Sequence, residues 1–130
     1  MKKLLLLLLV TFSTQFIHAQ SKEQLTVSFN GISSIGEVTD ENFFRNDELI
    51  VGSNPGSSVS VQEFKIGGVK PETAISVQGN KLSEEAKSLV KSFLTHNEKT
   101  VVISGIKLIN KNTGKITEYS KTITLKIVYN

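Results

Sequence analysis

Residues 83–109, SEEAKSLVKSFLTHNEKTVVISGIKLI, place a helix pattern directly before strand patterns and so decide the fold class. Ser83 suits a helix N-cap, because a serine hydroxyl accepts a hydrogen bond from a free backbone N–H. Glu84 and Glu85 follow in the first turn, where the helix dipole favours negative charge. The apolar positions then recur at helical spacing in one stripe: Ala86, Leu89, Val90, Phe93 and Leu94. This spacing predicts an amphipathic helix over Ser83–Thr95 that packs on a sheet.

The residues after this helix have the pattern of β-strands. Thr100–Ser104 is a β-branched run, and Ile106–Ile109 and Ile116–Tyr119 flank a short polar loop that contains Asn and Gly. A loop of this kind between two apolar runs predicts a β-hairpin. Residues 122–127 alternate between polar and apolar side chains, which predicts a last strand.

Shorter strands are predicted before the helix, at Leu25–Asn30, Glu48–Gly52, Val59–Ile66 and Ala74–Val77. In the third of these the apolar spacing slips from two residues to three, which predicts a β-bulge near Gln62 and Glu63. Residues 31–42 are predicted to be irregular with at most one short strand, and Ser53–Ser57 to be a turn. Together these elements predict an α+β domain, mainly antiparallel and sandwich-like, with one helix.

The N-terminus has the pattern of a secretory signal peptide. Two lysines precede the apolar run Leu4–Val10, and Ala19 supplies the small residue at which cleavage is expected. The run is shorter than the ~20 residues that a transmembrane helix needs. We therefore expect residues 1–19 to be removed and residues 20–130 to form a single exported domain with no transmembrane helix. The periplasm is the preferred location, with the cell surface and the extracellular space as alternatives.

Composition excludes several classes of site. Removing the leader lowers the net charge from +3 to +1, so the charge gives no reason to expect a nucleic-acid partner. The chain has no cysteine, and His96 is the one histidine outside the leader. A disulfide framework, a cysteine nucleophile and a zinc site built on several histidines are therefore excluded. His96 follows the predicted helix, where its charge would interact favourably with the helix dipole.

Three pairs of neighbouring carboxylates remain as candidates for acid–base chemistry or calcium binding: Asp40-Glu41, Asp47-Glu48 and Glu84-Glu85. Adjacent residues on a strand point to opposite faces, the last pair already stabilises a helix start, and the sequence has no D-x-D-x-D-G calcium loop. We therefore predict no catalytic residue, no metal ligand and no cofactor, and expect a protein that is not an enzyme.

Phe43, Phe44 and Arg45 are the segment of the sequence that points most directly to a protein partner. Aromatic residues and arginine are enriched at interface hot spots, and here they stand in a polar stretch. The alternative is that at least one phenylalanine fills the core and that Arg45 is solvated. Unpaired edge strands offer a second route to a partner, by strand addition, but the sequence does not identify the edges.

The order of these features resembles that of the C-terminal periplasmic domain of the gliding-motility protein GldM, a component of the type IX secretion machinery of Bacteroidetes. The similar segments are Phe44–Gly52, Val59–Ile66, Gly79–Val90, Lys99–Lys107 and Asn112–Lys115. The family's full-length member carries a transmembrane helix and further periplasmic domains, and its strand aromatics are replaced here by Val102-Ile103-Ser104. The resemblance implies a non-enzymatic interaction domain whose partners include a ring of outer-membrane-associated secretion subunits.

One function is therefore expected, and a second is kept as the alternative to it. The first is an exported protein–protein interaction domain that is an accessory of the gliding or secretion machinery. The second is a secreted module that binds carbohydrate or another small ligand. With two tyrosines and no tryptophan, the chain is poorly supplied with platforms on which a sugar can stack.

Overall fold

A computed structural model describes residues 25–52 and 58–129. They form an α+β fold dominated by strands, which confirms the predicted fold class. The predicted leader and the predicted turn at 53–57 lie outside the described residues. The elements are β1 (Thr26–Phe29), β2 (Ile35–Thr39), α1 (Asp40–Arg45), β3 (Leu49–Gly52), β4 (Val59–Gly67), β5 (Ile75–Gln78), α2 (Glu84–Thr95), β6 (Thr100–Asn110), β7 (Ile116–Tyr119) and β8 (Ile123–Val128), with a short 3₁₀ turn at Pro71–Thr73.

The strands form two sheets. β1 and β3 pair antiparallel in a small sheet, and the large sheet has the order β2-β8-β6-β4-β5. β7 and β8 lie end to end along one side of β6: β7 pairs with residues 106–109 and β8 with residues 100–103. The pairing of β2 with β8 is parallel, whereas the other pairings are antiparallel. The one short strand allowed for residues 31–42 is β2, whereas the start of α1 in the same stretch was not predicted.

The core lies between the two sheets and the helices. One face of the large sheet is buried, because alternate residues on each strand point inward. Its buried residues are Val61, Phe64, Ile66, Val77, Val101, Ile103, Ile106, Leu108, Ile123, Leu125 and Ile127. The opposite face, here called the open face, carries exposed or half-buried residues that include Ile35, Lys65, Val102, Thr124 and Lys126.

The amphipathic helix α2 is confirmed, and so is its N-cap. The Ser83 hydroxyl accepts a hydrogen bond from the Ala86 backbone N–H at 3.1 Å. The buried stripe is narrower than predicted, because Ala86, Val90 and Phe93 are buried whereas Leu89 is only half-buried.

The predicted β-bulge is confirmed in β4. The pairing with β6 shifts register between Val61 and Glu63 and again between Glu63 and Lys65. The predicted hairpin is confirmed too, as β6 and β7 pair across residues 111–115. The two apolar runs before this hairpin are one strand in the structure, since β6 continues through Gly105, whose φ of +55° a residue with a side chain rarely adopts.

Candidate functional site

Helix α1 separates the predicted partner-binding residues into core and surface. It begins after Thr39, whose side-chain oxygen accepts a hydrogen bond from the Asn42 N–H at 3.2 Å. Phe43 is fully buried, and its ring centroid lies 5.2 Å from that of Phe29 and 5.0 Å from that of Phe44. The alternative that one phenylalanine fills the core therefore holds for Phe43, and the candidate contact residues narrow to Phe44 and Arg45.

Phe44 is half-buried and Arg45 is exposed at the surface. The Phe44 ring is half-buried, and the Lys91 ammonium of α2 lies 5.4 Å from its centroid. This contact joins α1 to α2 through a cation–π interaction. The Arg45 side chain is 67 % exposed and forms an ion pair with Glu41, one helical turn earlier. An exposed pair of this kind contributes little to stability, so the Arg45 guanidinium can exchange Glu41 for a group of a partner at little cost.

Arg45 lines a surface cleft of about 600 Å³, here called the Arg45 cleft. Its wall is formed by Asn30, Gly31, Arg45, Asn46, Asp47, Glu48, Ile50 and Lys81. The two asparagines bridge it: Asn30 Nδ2 donates to the Asn46 carbonyl at 3.2 Å, and Asn46 Nδ2 donates to Asn30 Oδ1 at 3.3 Å. These bonds hold the β1 turn against the end of α1.

An ion pair between the buried Asp47 and the half-buried Lys87 fixes one part of the cleft wall. Asp47 is the buried charged residue of the described chain, and its carboxylate lies 2.8 Å from the Lys87 ammonium on α2. Its backbone carbonyl accepts a hydrogen bond from the Leu82 N–H at 2.9 Å. The next residue, Glu48, forms a β-bridge with Lys81. The segment between α1 and β3 is therefore fixed to the segment that leads into α2.

The charges around this pair set its protonation states. Burial raises the pKa of the Asp47 carboxyl, but the hydrogen bond from Lys87 and the charges of Lys87 and Lys81 outweigh burial, so its pKa lies below the usual 3.8. The hydrogen bond to Asp47 likewise raises the pKa of the Lys87 ammonium above 10.5. Both groups are therefore charged at neutral pH.

Ile50 and Lys81 are among the cleft residues that the sequence alone does not identify. Ile50 has 59 % of its surface exposed, and Lys81 is exposed beside it. The sequence places Ile50 on a strand without showing which of its faces is covered. The bridge between Lys81 and Glu48 joins residues 33 positions apart in the chain, and no local pattern reports such a contact.

The other residues considered for chemistry have structural positions. Asp40 and Glu41 stand in the first turn of α1, and Glu84 and Glu85 in the first turn of α2. His96 is the C-cap of α2, and its Nδ1 lies 2.8 Å from the Ser92 carbonyl oxygen. Within residues 25–52 and 58–129, no three histidine or carboxylate side chains come together as a metal site would require.

Two further grooves lie at one end of the molecule. The first, about 580 Å³, runs between the C-terminus of α2 and the loop after β4, and it includes Phe93, His96 and the exposed Val69. The second, about 500 Å³, lies on the open face beside Lys65, where Gly67 backs closely onto Ala74. Neither groove includes a residue that the sequence had singled out as a partner contact.

The comparison with known proteins gives no family for this fold. No protein-family model matches the chain, and no curated protein matches it significantly. None of the helices in the described part of the chain has both the length and the apolar character needed to cross a bilayer.

Proposed function

We propose that this chain is an exported, non-enzymatic protein–protein interaction domain and that the Arg45 cleft is one of its contact surfaces. The observation that carries this proposal is the exposed Ile50 side chain, which shares one cleft with Arg45. An exposed aliphatic residue next to an arginine supplies both the apolar burial and the directional hydrogen bonds that a hot spot uses.

The rigidity of the cleft supports the same role. Its walls are joined by the asparagine bridge and by the Asp47–Lys87 ion pair, so a partner would meet a surface that is already ordered. A pre-ordered surface loses less conformational entropy on binding than a mobile loop does.

The sequence supports the location and the machinery in this proposal. The leader pattern of residues 1–19 supports export, with the periplasm preferred over the cell surface or the extracellular space. The resemblance to the GldM C-terminal domain supports a role as an accessory of the gliding or type IX secretion machinery. In that role the partners would be outer-membrane-associated ring subunits.

Site-specific photo-crosslinking tests the cleft. A photo-reactive amino acid is placed at position 50, and in a matched variant at position 69, where Val69 is 74 % exposed and lies outside the cleft. Irradiated native cells should give a defined adduct from position 50 that is absent from position 69. Mass spectrometry then identifies the partner, and ring or secretion subunits would support the specific machinery role.

One further variant completes this test. Arg45→Ala, introduced into the position-50 variant, should reduce the adduct strongly while the melting temperature stays within about 2 °C of the parent, since its exposed ion pair contributes little to stability. Equal adducts from positions 50 and 69, or no effect of Arg45→Ala, would remove the cleft from the proposal.

The alternative function, binding of a carbohydrate or another small ligand, would use the groove beside Phe93. That groove has a half-enclosed apolar wall next to the polar groups of His96 and Thr73. A glycan array with the intact protein distinguishes the two functions. Reproducible glycan binding that Val69→Ala weakens and Arg45→Ala leaves unchanged would favour this alternative.

A further inference from the structure

We propose that the free edge of β7 is a strand-addition site for an extended segment of another protein in which apolar and acidic residues alternate. The site is separate from the Arg45 cleft and does not depend on it. β7 is the strand whose four side chains are all exposed or half-buried, whereas every other strand of the described chain buries at least one residue. Its pairing with β6 therefore leaves one edge and the open face of β7 accessible. On the other face the hydroxyl of the half-buried Tyr119 accepts a hydrogen bond from the Val27 N–H at 3.3 Å.

The register of the hairpin shows which backbone groups are available. The Asn110 N–H donates to the Lys115 carbonyl at 2.9 Å, so these two residues form a hydrogen-bonded pair. In an antiparallel ladder such pairs alternate with pairs that are not hydrogen-bonded. Thr117 and Tyr119 therefore bond to β6, whereas the backbone N–H and C=O groups of Ile116 and Glu118 point away from it.

The edge of the large sheet has a step beside β7. β2 pairs along the outer edge of β8, but it begins only at Ile35, which lies opposite Thr124 of β8. Thr124 in turn lies opposite Val102 of β6. The position next to β7 is thus left open among the described residues. This open position, the step, extends from the level of Val102 to that of Ile109, which lies opposite Ile116. It is therefore about seven residues of β6 long, or roughly 23 Å. An extended segment of about seven residues fits this length.

An isoleucine stands at each end of the step. Ile35 is 81 % exposed and Ile116 is 51 % exposed, and the pairing register places both side chains on the open face. A strand that filled the step would cover both with its own open-face side chains. Alternate residues of the incoming strand, all on that face, should therefore be apolar.

The charges around the step indicate which residue types the other face of the incoming strand should carry. Lys111, Lys115 and Lys121 are all exposed around it, and Glu118 is the acidic residue among them. Lys115 precedes Ile116, so its side chain points to the face opposite the isoleucines. Acidic residues on that face of an incoming strand would complement the lysines. A second copy of the chain would instead bring its own hairpin lysines, Lys111 and Lys115, against them, which is unfavourable.

Hydrogen exchange with a model peptide tests the proposal. The probe is the peptide acetyl-Ile-Glu-Ile-Glu-Ile-Glu-Ile-amide, and the control is the same peptide with lysine in place of glutamate. On titration into the isotope-labelled protein, the amide protons of Ile116 and Glu118 should become at least tenfold slower to exchange. Those of Thr117 and Tyr119, which already bond to β6, should change much less.

Two variants at one position separate the main chain from the charge. Glu118→Pro removes an outward N–H that β6 does not use, so the protein should melt like the parent but bind the peptide at least tenfold more weakly. Glu118→Gln keeps the N–H and removes a negative charge, so it should bind the acidic peptide as tightly as the parent or more tightly.

Several results would overturn the proposal. These are the absence of binding at millimolar peptide, protection at residues outside β7, equal binding of the two peptides, and undiminished binding by Glu118→Pro. Protection of Ile116 and Glu118 that rises with protein concentration and without peptide would identify a second copy as the occupant and would also overturn it.

Discussion

Truncation of the three consecutive residues Phe43, Phe44 and Arg45 to alanine should give three distinct losses of stability. Phe43 is fully buried against two other rings, so Phe43→Ala should lower the free energy of unfolding by about 3–5 kcal/mol. Phe44 is half-buried, so about half the transfer free energy of a phenylalanine is at stake, or roughly 1–2 kcal/mol. Arg45→Ala removes an exposed ion pair and should change stability by less than about 0.5 kcal/mol.

Urea denaturation followed by circular dichroism measures these losses. With a slope of about 1–2 kcal/mol per M, a loss of 3–5 kcal/mol moves the unfolding midpoint by roughly 1.5–5 M. If Phe43→Ala does not fold, Phe43→Leu keeps much of the apolar volume and should show a smaller loss in the same direction.

The ranking of the three variants is the decisive result. A loss for Phe44→Ala that equals or exceeds that for Phe43→Ala would refute the assignment of Phe43 to the core. The ranking also determines how binding data are interpreted: loss of a partner by Phe43→Ala would reflect unfolding, whereas loss by Arg45→Ala in a folded protein would locate a contact.

Four further variants test the structure around the cleft. Val90→Asp should lower stability by several kcal/mol, because it buries an unpaired charge, and half-buried Leu89→Asp by clearly less; equal midpoints in urea would contradict the orientation of α2. Asp47→Asn should be about 1–2 kcal/mol less stable than the parent at pH 7. The carboxylate, whose pKa is lowered by folding, contributes stability above pH 3.8 that disappears as the pH falls through its folded pKa, so the urea midpoints of the two proteins should differ at pH 5 and approach each other as the pH is lowered below 3.8. Ser83→Ala should lose about 1 kcal/mol with the N-cap hydrogen bond, and an unchanged thermal midpoint would show that this bond contributes nothing.

Local patterns in the sequence predict the elements that depend on local interactions. The cap at Ser83, the bulge near Gln62 and the hairpin before Ile116 are each determined by a few neighbouring residues. The buried face of α2 is predicted only approximately, because helical spacing shows which side of the helix is apolar but not which residues lie at the middle of the buried face. The contacts that centre it, such as the Lys87 pairing with Asp47, join distant parts of the chain.

The features that local patterns could not predict, such as the pairing of β2, depend on long-range contacts. β2 pairs parallel with β8, and its partner residues lie about 90 positions later in the sequence. A Cβ atom at Gly36 would lie 2.9 Å from the Ile32 side chain, so a larger residue there would require this side chain to move. α1 did have a local signal, since Thr39 precedes two acidic residues as an N-cap does, but its six residues are too few to show an apolar period.

The two proposed surfaces differ in how much of their chemistry the sequence displays. The Arg45 cleft binds through side chains, so residue types such as arginine beside phenylalanine already point to it. The β7 edge would bind through backbone N–H and C=O groups, which every residue except proline carries. What makes Ile116 and Glu118 different is that their backbone groups point away from β6 and that β2 begins only at Ile35. Both are properties of sheet register, so a strand-addition site of this kind becomes visible only once the order of the strands is known.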